Sequence, residues 1–257
     1  MLTLGIDTSN YATSLAVFDT NAGEVVCDCK KFLPVKEGQL GLRQSDALFQ
    51  HVKRLPLLIH QLRTEGKLDA PISAVGASVK PRWVEGSYMP CFLAGESQGK
   101  AMASVLEVPF YACSHQQGHI AASLWSAGRL ELMQTPHLAW HLSGGTTELL
   151  LVPPDGKTVR AEKLGGTSDI SAGQLIDRTG KLLHLDFPAG KALDKLANET
   201  EEKERFRVRL DGLNFSLSGI ENKVQKLVEK RKAPAAVARY VLLTISSVVR
   251  RATDKAK

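Results

Sequence analysis

Two distant stretches of the chain share one design. LTLGIDTSNYATSLAVF, residues 2 to 18, and HLAWHLSGGTTELLLV, residues 137 to 152, each run from an apolar strand through a turn of small polar residues into a second strand. One supersecondary unit used twice in a chain points to two related lobes. With 257 residues and 43% hydrophobic content, the chain has enough apolar material for one large or two modest domains. The expected division is 1–130 and 131–257, with the second stretch opening the second lobe.

Between the two copies the periodicity alternates. A third strand is predicted near 24–30, closing a meander. Leu48, Val52, Leu55, Leu58, Ile59 and Leu62 then recur at helical spacing over 45–64, with Pro56 expected to kink or split that helix. A strand at 72–79, a helix in MPCFLAGESQGKAMASVLE, a strand in VPFYAC and a helix over 116–127 follow. After the second copy, a strand near 158–164 and helices near 171–184, 190–198, 216–230 and 234–254 are predicted. TEEKERFRVRL reads as a solvated charged loop or helix face. Strands and helices in this alternation make an α/β layer with partly parallel pairing.

Two histidine pairs have i, i+4 spacing, and their settings separate them. His115 and His119 lie where Ser114 would cap a helix, so both project from one face about a turn apart and could grip one ion. Surface or core-satisfied histidines are the alternative reading. His137 and His141 fall in an apolar run that reads as a buried strand, where four residues span roughly 13 Å. That pair cannot chelate.

Other candidates sit in turns. In Ser143-Gly144-Gly145-Thr146-Thr147, glycines let backbone N–H groups approach an anion, and Asp7, Thr8 and Ser9 offer the same chemistry in the first copy. Either alone could be a plain hairpin, whereas the two together suggest a double phosphate clamp. Asp169, Asp177 and Asp194 recur among glycines and short helices. Capping is the default reading of each, and Asp177 and Asp194 around the Phe-Pro-Ala-Gly loop could instead hold a ribose. Ser216, Ser218 and Gly219 read as a helix start.

Charge is uneven along the chain. Residues 222–257 hold ten Lys or Arg against Glu229 and Asp254, so the net +6 belongs to the C-terminal segment. Lys223, Lys226 and Lys230 fall on one helical stripe with Val224, Leu227 and Val228 turned inward. The stripe is either a contact for a nucleic-acid backbone or a solvated helix face. Cys27, Cys29, Cys91 and Cys113 make one C-x-C and no C-x-x-C, a pattern of reduced thiols rather than a disulfide framework or zinc knuckle. No apolar run reaches a membrane span and MLTLGIDTS has no leader pattern, which predicts a cytoplasmic protein without a membrane partner.

Taken in order, GIDTS, HQQGH, LSGGTTELLLV, SAGQLID, FPAGKALDKLA and NFSLSG resemble the family of tRNA threonylcarbamoyladenosine synthase subunits, historically called sialoglycoprotein endopeptidases. The likeness runs over nearly the whole chain. It implies an α/β, actin-like ATPase fold of the sugar-kinase and Hsp70 type, with two related lobes around a nucleotide cleft and the second lobe incomplete. It implies transfer of a threonylcarbamoyl group from threonylcarbamoyl-AMP to N6 of adenosine 37 in tRNA. By position, His115 and His119 would ligate one divalent metal ion, iron or zinc. His141, Leu142, Ser143, Gly144 and Gly145 would line an adenine nucleotide, ATP or threonylcarbamoyl-AMP, and Asp177, Gly190 and Asp194 would hold its ribose and base. The implied partners are tRNA and other subunits of a threonylcarbamoyl-transfer complex. No catalytic base is named by any of these motifs.

The chain also departs from the family pattern. Asn10, Tyr11 and Ala12 stand where an acidic pair is usual, Arg82 and Trp83 interrupt the loop KPRWVEGSY, and Thr146 replaces a histidine after Ser-Gly-Gly. The family's third metal ligand, an aspartate, and an adenine-contacting asparagine would fall beyond Lys257, so either this is a fragment or the site is incomplete. These departures motivate an alternative, a paralogue that binds nucleotide as a regulatory subunit. The peptidase reading is weaker, since HQQGH lacks the glutamate that zinc proteases place after the first histidine.

Overall fold

The computed structural model describes residues 1–34 and 42–257, which form two compact units, Met1–Met133 and Gln134–Lys257. In the first unit β1 (Leu2–Ser9), β2 (Ala12–Asp19) and β3 (Glu24–Phe32) are an antiparallel meander. β4 (Ile72–Lys80) and β5 (Phe110–Ser114) extend it in parallel, giving the order β3-β2-β1-β4-β5. Parallel neighbours need crossovers, and α1 (Gln44–Thr64) and α2 (Phe92–Val105) supply them. Along β1 burial alternates strictly: Leu2, Leu4, Ile6 and Thr8 are buried. The three apolar ones join Leu15, Val17, Leu55, Leu58, Leu62 and Val75 in one core, which leaves Gly5, Asp7 and Ser9 on the opposite face.

Pro56 does not split α1, contrary to the sequence expectation; the helix runs unbroken through it. Proline deletes only the bond to the carbonyl of Val52, and both residues lie on the exposed side, where water can take that carbonyl. The buried face of Leu55, Leu58 and Leu62 is untouched. From the same helix the fully buried His51 ties down the first turn. Its Nε2 lies 3.0 Å from the Ser9 carbonyl and must donate to it, so Nδ1, 2.8 Å from Thr13 Oγ1, accepts the hydroxyl proton.

Burial favours the neutral imidazole that this arrangement accommodates and pushes the His51 pKa down despite the Ser9 bond and the Asp7 charge nearby. Below about pH 6.5 an unfolded chain binds a proton here that the folded chain refuses. The contribution of His51 to stability is therefore complete above that pH and is lost as pH falls. His51→Gln should flatten the fall in unfolding free energy between about pH 7 and 5, measured by urea titration; parallel curves for the two proteins would contradict this assignment.

In the second unit β6 (His137–Leu142), β7 (Thr147–Val152) and β10 (Glu162–Thr167) repeat the antiparallel arrangement of β1 to β3. β11 (Asn214–Phe215) adds in parallel beyond β10, giving β11-β10-β7-β6. β6 is half-buried rather than buried as predicted, because it lies at an edge of this sheet while β7 takes the interior. The strand expected near 158–164 begins only at Glu162. Residues before it belong to a small ribbon of β8 (Pro154–Asp155) and β9 (Thr158–Val159), turned just after Asp155 with Gly156 at φ +59. Helices α4 (Ala172–Leu182), α5 (Gly190–Ala197), α6 (Ser218–Glu229) and α7 (Pro234–Ala256) enclose a core of Leu175, Leu193, Phe215, Leu217, Val224 and Val241.

Residues 200–210 form no regular element and keep their charged side chains in solvent, as the loop reading expects, but their apolar residues do not share that exposure. Phe206, Val208 and Leu210 pack into the core while Arg205, Arg207 and Arg209 stay exposed, a period-two alternation without a sheet partner. On α6 and its exit, Lys223, Lys226 and Lys230 are all exposed, and Val224 is fully buried. No helix among the described residues is long and apolar enough to cross a membrane.

Candidate functional site

In the first unit β5 ends at Ser114, whose hydroxyl accepts from the Gln117 N–H while the Gln117 side chain accepts from the Ser114 N–H. This capping box starts α3 (His115–Ser126) at the residue that matters. His115 projects from the first turn and His119 stands one turn above it. The two Nε2 atoms are 2.9 Å apart, with ring centroids at 4.2 Å. Asp7, near the end of β1, accepts a 2.7 Å bond from His115 Nδ1. With the proton on Nδ1, the Nε2 lone pair of His115 faces His119.

Burial alone would raise the Asp7 pKa. The bond and charge of His115, with hydrogen bonds from Ser78 and the Ser9 N–H, outweigh it and hold the carboxyl at about 2. Asp7 is therefore a fixed anion that orients the His115 ring, the carboxylate–histidine pairing typical behind a metal ligand. The surrounding depression is lined by Asp7, Ser9, Ser78, Cys113, His115 and His119. Two histidine nitrogens aimed at one point, one of them braced by a carboxylate, fit half of a divalent metal site. No group of three or more His, Cys, Asp or Glu suited to a metal occurs among the described residues. Motif and spacing single out both histidines and Asp7 separately, without showing that they bond.

In the second unit α4 organises the remaining candidates. Ser143 to Gly145 form an exposed turn in which the Ser143 N–H donates to the Thr146 carbonyl, and Ser143 Oγ accepts from the N–H groups of Gly145 and Thr146. The N–H groups of Ser143 and Gly145, expected to face an anion, thus already have partners within the turn. The turn rests on the start of α4: Ser171 Oγ donates to the Gly144 carbonyl at 2.7 Å, and a Cβ on Gly173 would lie 2.5 Å from the Ser143 carbonyl oxygen. Ser171 also caps α4 through a box with Gln174. Ser171 and Gly173 both lie in SAGQLID, one of the stretches that carry the resemblance, but the sequence assigns neither a role, though Ser-x-x-Gln is there to be read as a cap.

Further along the same helix Asp177 accepts from the Ala189 N–H at 3.0 Å, fixing the start of α5. Gly180 makes the approach possible, because any Cβ there would collide with Ala189. Gly190, the first residue of α5, and Asp194, one turn on, are both exposed. The structure thus joins Gly144, Asp177 and Gly190 through one helix, with half-buried His141 and exposed Leu142 leading into the turn on β6. Asp169 lies elsewhere. It caps α6 from a distance, accepting from Ser216, from Ser218 Oγ at 2.7 Å and from the Leu217 N–H at 2.8 Å. Burial opposes its ionisation, and these donors prevail, holding it well below the carboxylate range. Ser216 and Ser218 are its partners rather than the cap themselves.

The profile of the tRNA N6-adenosine threonylcarbamoyltransferase family matches residues 16–257. The chain belongs to that family. A tRNA N6-adenosine threonylcarbamoyltransferase of Thermus thermophilus is 36% identical over 244 residues, covering 93% of this chain and 71% of that protein. One from Nitrosomonas eutropha is 30% identical, covering 97% and 72%. Among solved structures, full-length HypF in a phosphate- and nucleotide-bound form aligns over 99% of this chain and 45% of its own, with a TM-score of 0.57 at 12% identity. HypF of T. kodakarensis aligns over 99% and 40%, with a TM-score of 0.54. These structural likenesses place the threonylcarbamoyltransferase chain in the α/β, actin-like ATPase fold class.

Proposed function

We propose that this chain transfers a threonylcarbamoyl group from threonylcarbamoyl-AMP to N6 of the adenosine beside the anticodon of tRNA, in the cytoplasm. The N6 amine attacks the carbamoyl carbonyl carbon of the mixed anhydride. A new N–C bond forms, the C–O bond to phosphate breaks, AMP leaves and N6 gives up one proton. Family membership supports the activity, and the convergence of His115 and His119 Nε2 at 2.9 Å is the observation that carries the site.

His115 and His119 would hold a divalent iron or zinc ion, which when bound supplies positive charge to orient and polarise the acyl donor. Asp7 keeps His115 in the tautomer that this requires. The turn Ser143–Gly145, with Gly144 open to solvent, would receive the phosphate side of the adenylate. Asp177 has a second carboxylate oxygen beyond the one bonded to Ala189, and with Gly190 and Asp194 it would face the ribose and base. Acceptor tRNA is the macromolecular partner, and other subunits of a threonylcarbamoyl-transfer complex would bring the activated donor.

The test supplies the protein with threonylcarbamoyl-AMP carrying labelled threonine and two tRNAs that differ only by adenosine or guanosine beside the anticodon. Label is expected in the adenosine tRNA alone, with one AMP released per label incorporated. Release of AMP without label in RNA, or equal labelling of both tRNAs, would overturn the assignment.

A further inference from the structure

Residues 203–209 run as an extended strap across the second unit, and the strap is anchored rather than loose. The Phe206 N–H donates to Thr244 Oγ1 at 3.0 Å, Arg251 donates to the Val208 carbonyl at 2.6 Å, and Val208 is buried in the core. Anchoring the even residues displays Arg205, Arg207 and Arg209 outward, about 7 Å apart along the chain. Beside the strap, Lys203, Arg205, Arg207, Ser247, Arg250 and Arg251 surround one depression against α7.

The acidic residues of this region do not neutralise it. Glu204, at the same rim, and Glu202 are both turned to Lys232, and Glu201 reaches Arg239. No carboxylate among the described residues comes within ion-pair distance of Lys203, Arg205, Arg207 or Arg250. Lys223 of α6, outside this lining, holds its Nζ 4.3 Å above the Phe206 ring. So many cations around one hollow repel one another, and only packing and backbone bonds hold them together. A solvated charged face needs no such fixing. Arginines spaced at every second residue suit successive phosphates, which their planar forks bind in pairs of hydrogen bonds, and the Ser247 hydroxyl adds a donor.

We propose that this strap and the adjoining face of α7 are the docking surface for the sugar-phosphate backbone of the acceptor tRNA. The proposal rests on the threonylcarbamoyl-transfer reading, which supplies the RNA. The surface carries affinity and orientation, whereas the chemistry of the adenosine is handled by other residues.

The experiment measures tRNA binding at several salt concentrations, and steady-state transfer, for the wild type, an Arg205→Gln, Arg207→Gln, Arg250→Gln variant and the matching triple lysine variant. Arg251 is left in place because it anchors Val208. The glutamine variant should bind tRNA roughly tenfold or more weakly at about 0.1 M salt, with the slope of log affinity against log salt shallower by roughly 0.7 to 0.9 for each phosphate no longer neutralised. KM for tRNA should rise, with kcat, nucleotide affinity and circular dichroism unchanged. The lysine variant should keep the wild-type slope. Wild-type binding by the glutamine variant at every salt concentration, or equal weakening in both variants, would overturn the surface while leaving the transferase reading intact. If the wild type modifies no tRNA yet binds it with a slope that the glutamine variant lowers, the surface stands and the transferase reading falls.

Discussion

Replacing Gly166 with alanine is expected to destabilise the second unit by about 3 to 5 kcal/mol, the sum of backbone strain and overpacking. Gly166 sits in β10 at φ +142, a conformation essentially restricted to glycine. A Cβ there would also be driven into the Thr147 carbonyl of β7, and one on neighbouring Gly165 would lie 2.5 Å from the Leu213 carbonyl oxygen. Neither obstacle is the far end of a flexible side chain, so relief means moving backbone. The shift would spread, because Thr147 Oγ1 accepts the Ala172 N–H at 2.7 Å at the start of α4, beneath the Ser143–Gly145 turn. Urea unfolding followed by circular dichroism should show the destabilisation, and nucleotide affinity should fall with it. Stability within about 1 kcal/mol of the wild type would show that β7 and β10 yield more easily than their close approach implies.

Asp7→Asn is expected to weaken binding of a divalent metal by roughly 10- to 100-fold while leaving the fold in place. Asparagine keeps the shape and can still accept from the Ser9 N–H, which bonds Asp7 Oδ1 at 3.0 Å. It removes the negative charge that holds the proton on His115 Nδ1. A second consequence concerns pH. With the Asp7 pKa depressed to about 2, the wild type draws stability from this carboxylate above the ordinary aspartate range and loses it as pH falls toward 2. The asparagine variant should lack that acid-side dependence. Calorimetric titration with zinc or ferrous ion reads the first effect, and equal affinities in the two proteins would mean that the Asp7–His115 bond serves the fold alone.

Local patterns are legible in the sequence wherever one stretch of chain holds the whole signal. The hairpins show in their alternation, and the start of α3 shows in Ser114, whose cap the structure completes with Gln117. Arrangements joining distant residues are not legible. Asp7 and His115 are 108 positions apart, and Asp169 caps a helix 48 or 49 positions away, so no spacing rule reaches either pair. Gly165, Gly166 and Gly173 are conspicuous only once the backbone they would strike is in place. The strap misleads for another reason: Phe206, Val208 and Leu210 alternate visibly, but the charges between them are so dense that the apolar period passes for a solvated surface. Pro56 shows the converse, a strong local breaker overruled by the packing of the helix face behind it.

The most direct test of the two-histidine centre as the working site of a threonylcarbamoyltransferase is one quantity, threonylcarbamoyl-adenosine formed in tRNA, measured by mass spectrometry across a metal titration. Chelator-treated wild-type protein receives threonylcarbamoyl-AMP, tRNA and increasing zinc or ferrous ion, beside a His115→Ala, His119→Ala double variant whose circular dichroism matches the wild type. Product is expected to be absent from the chelated protein, to rise with added metal to a plateau, and to stay absent from the double variant at every concentration. Product formed at the full rate without metal, or by the double variant, would contradict the account.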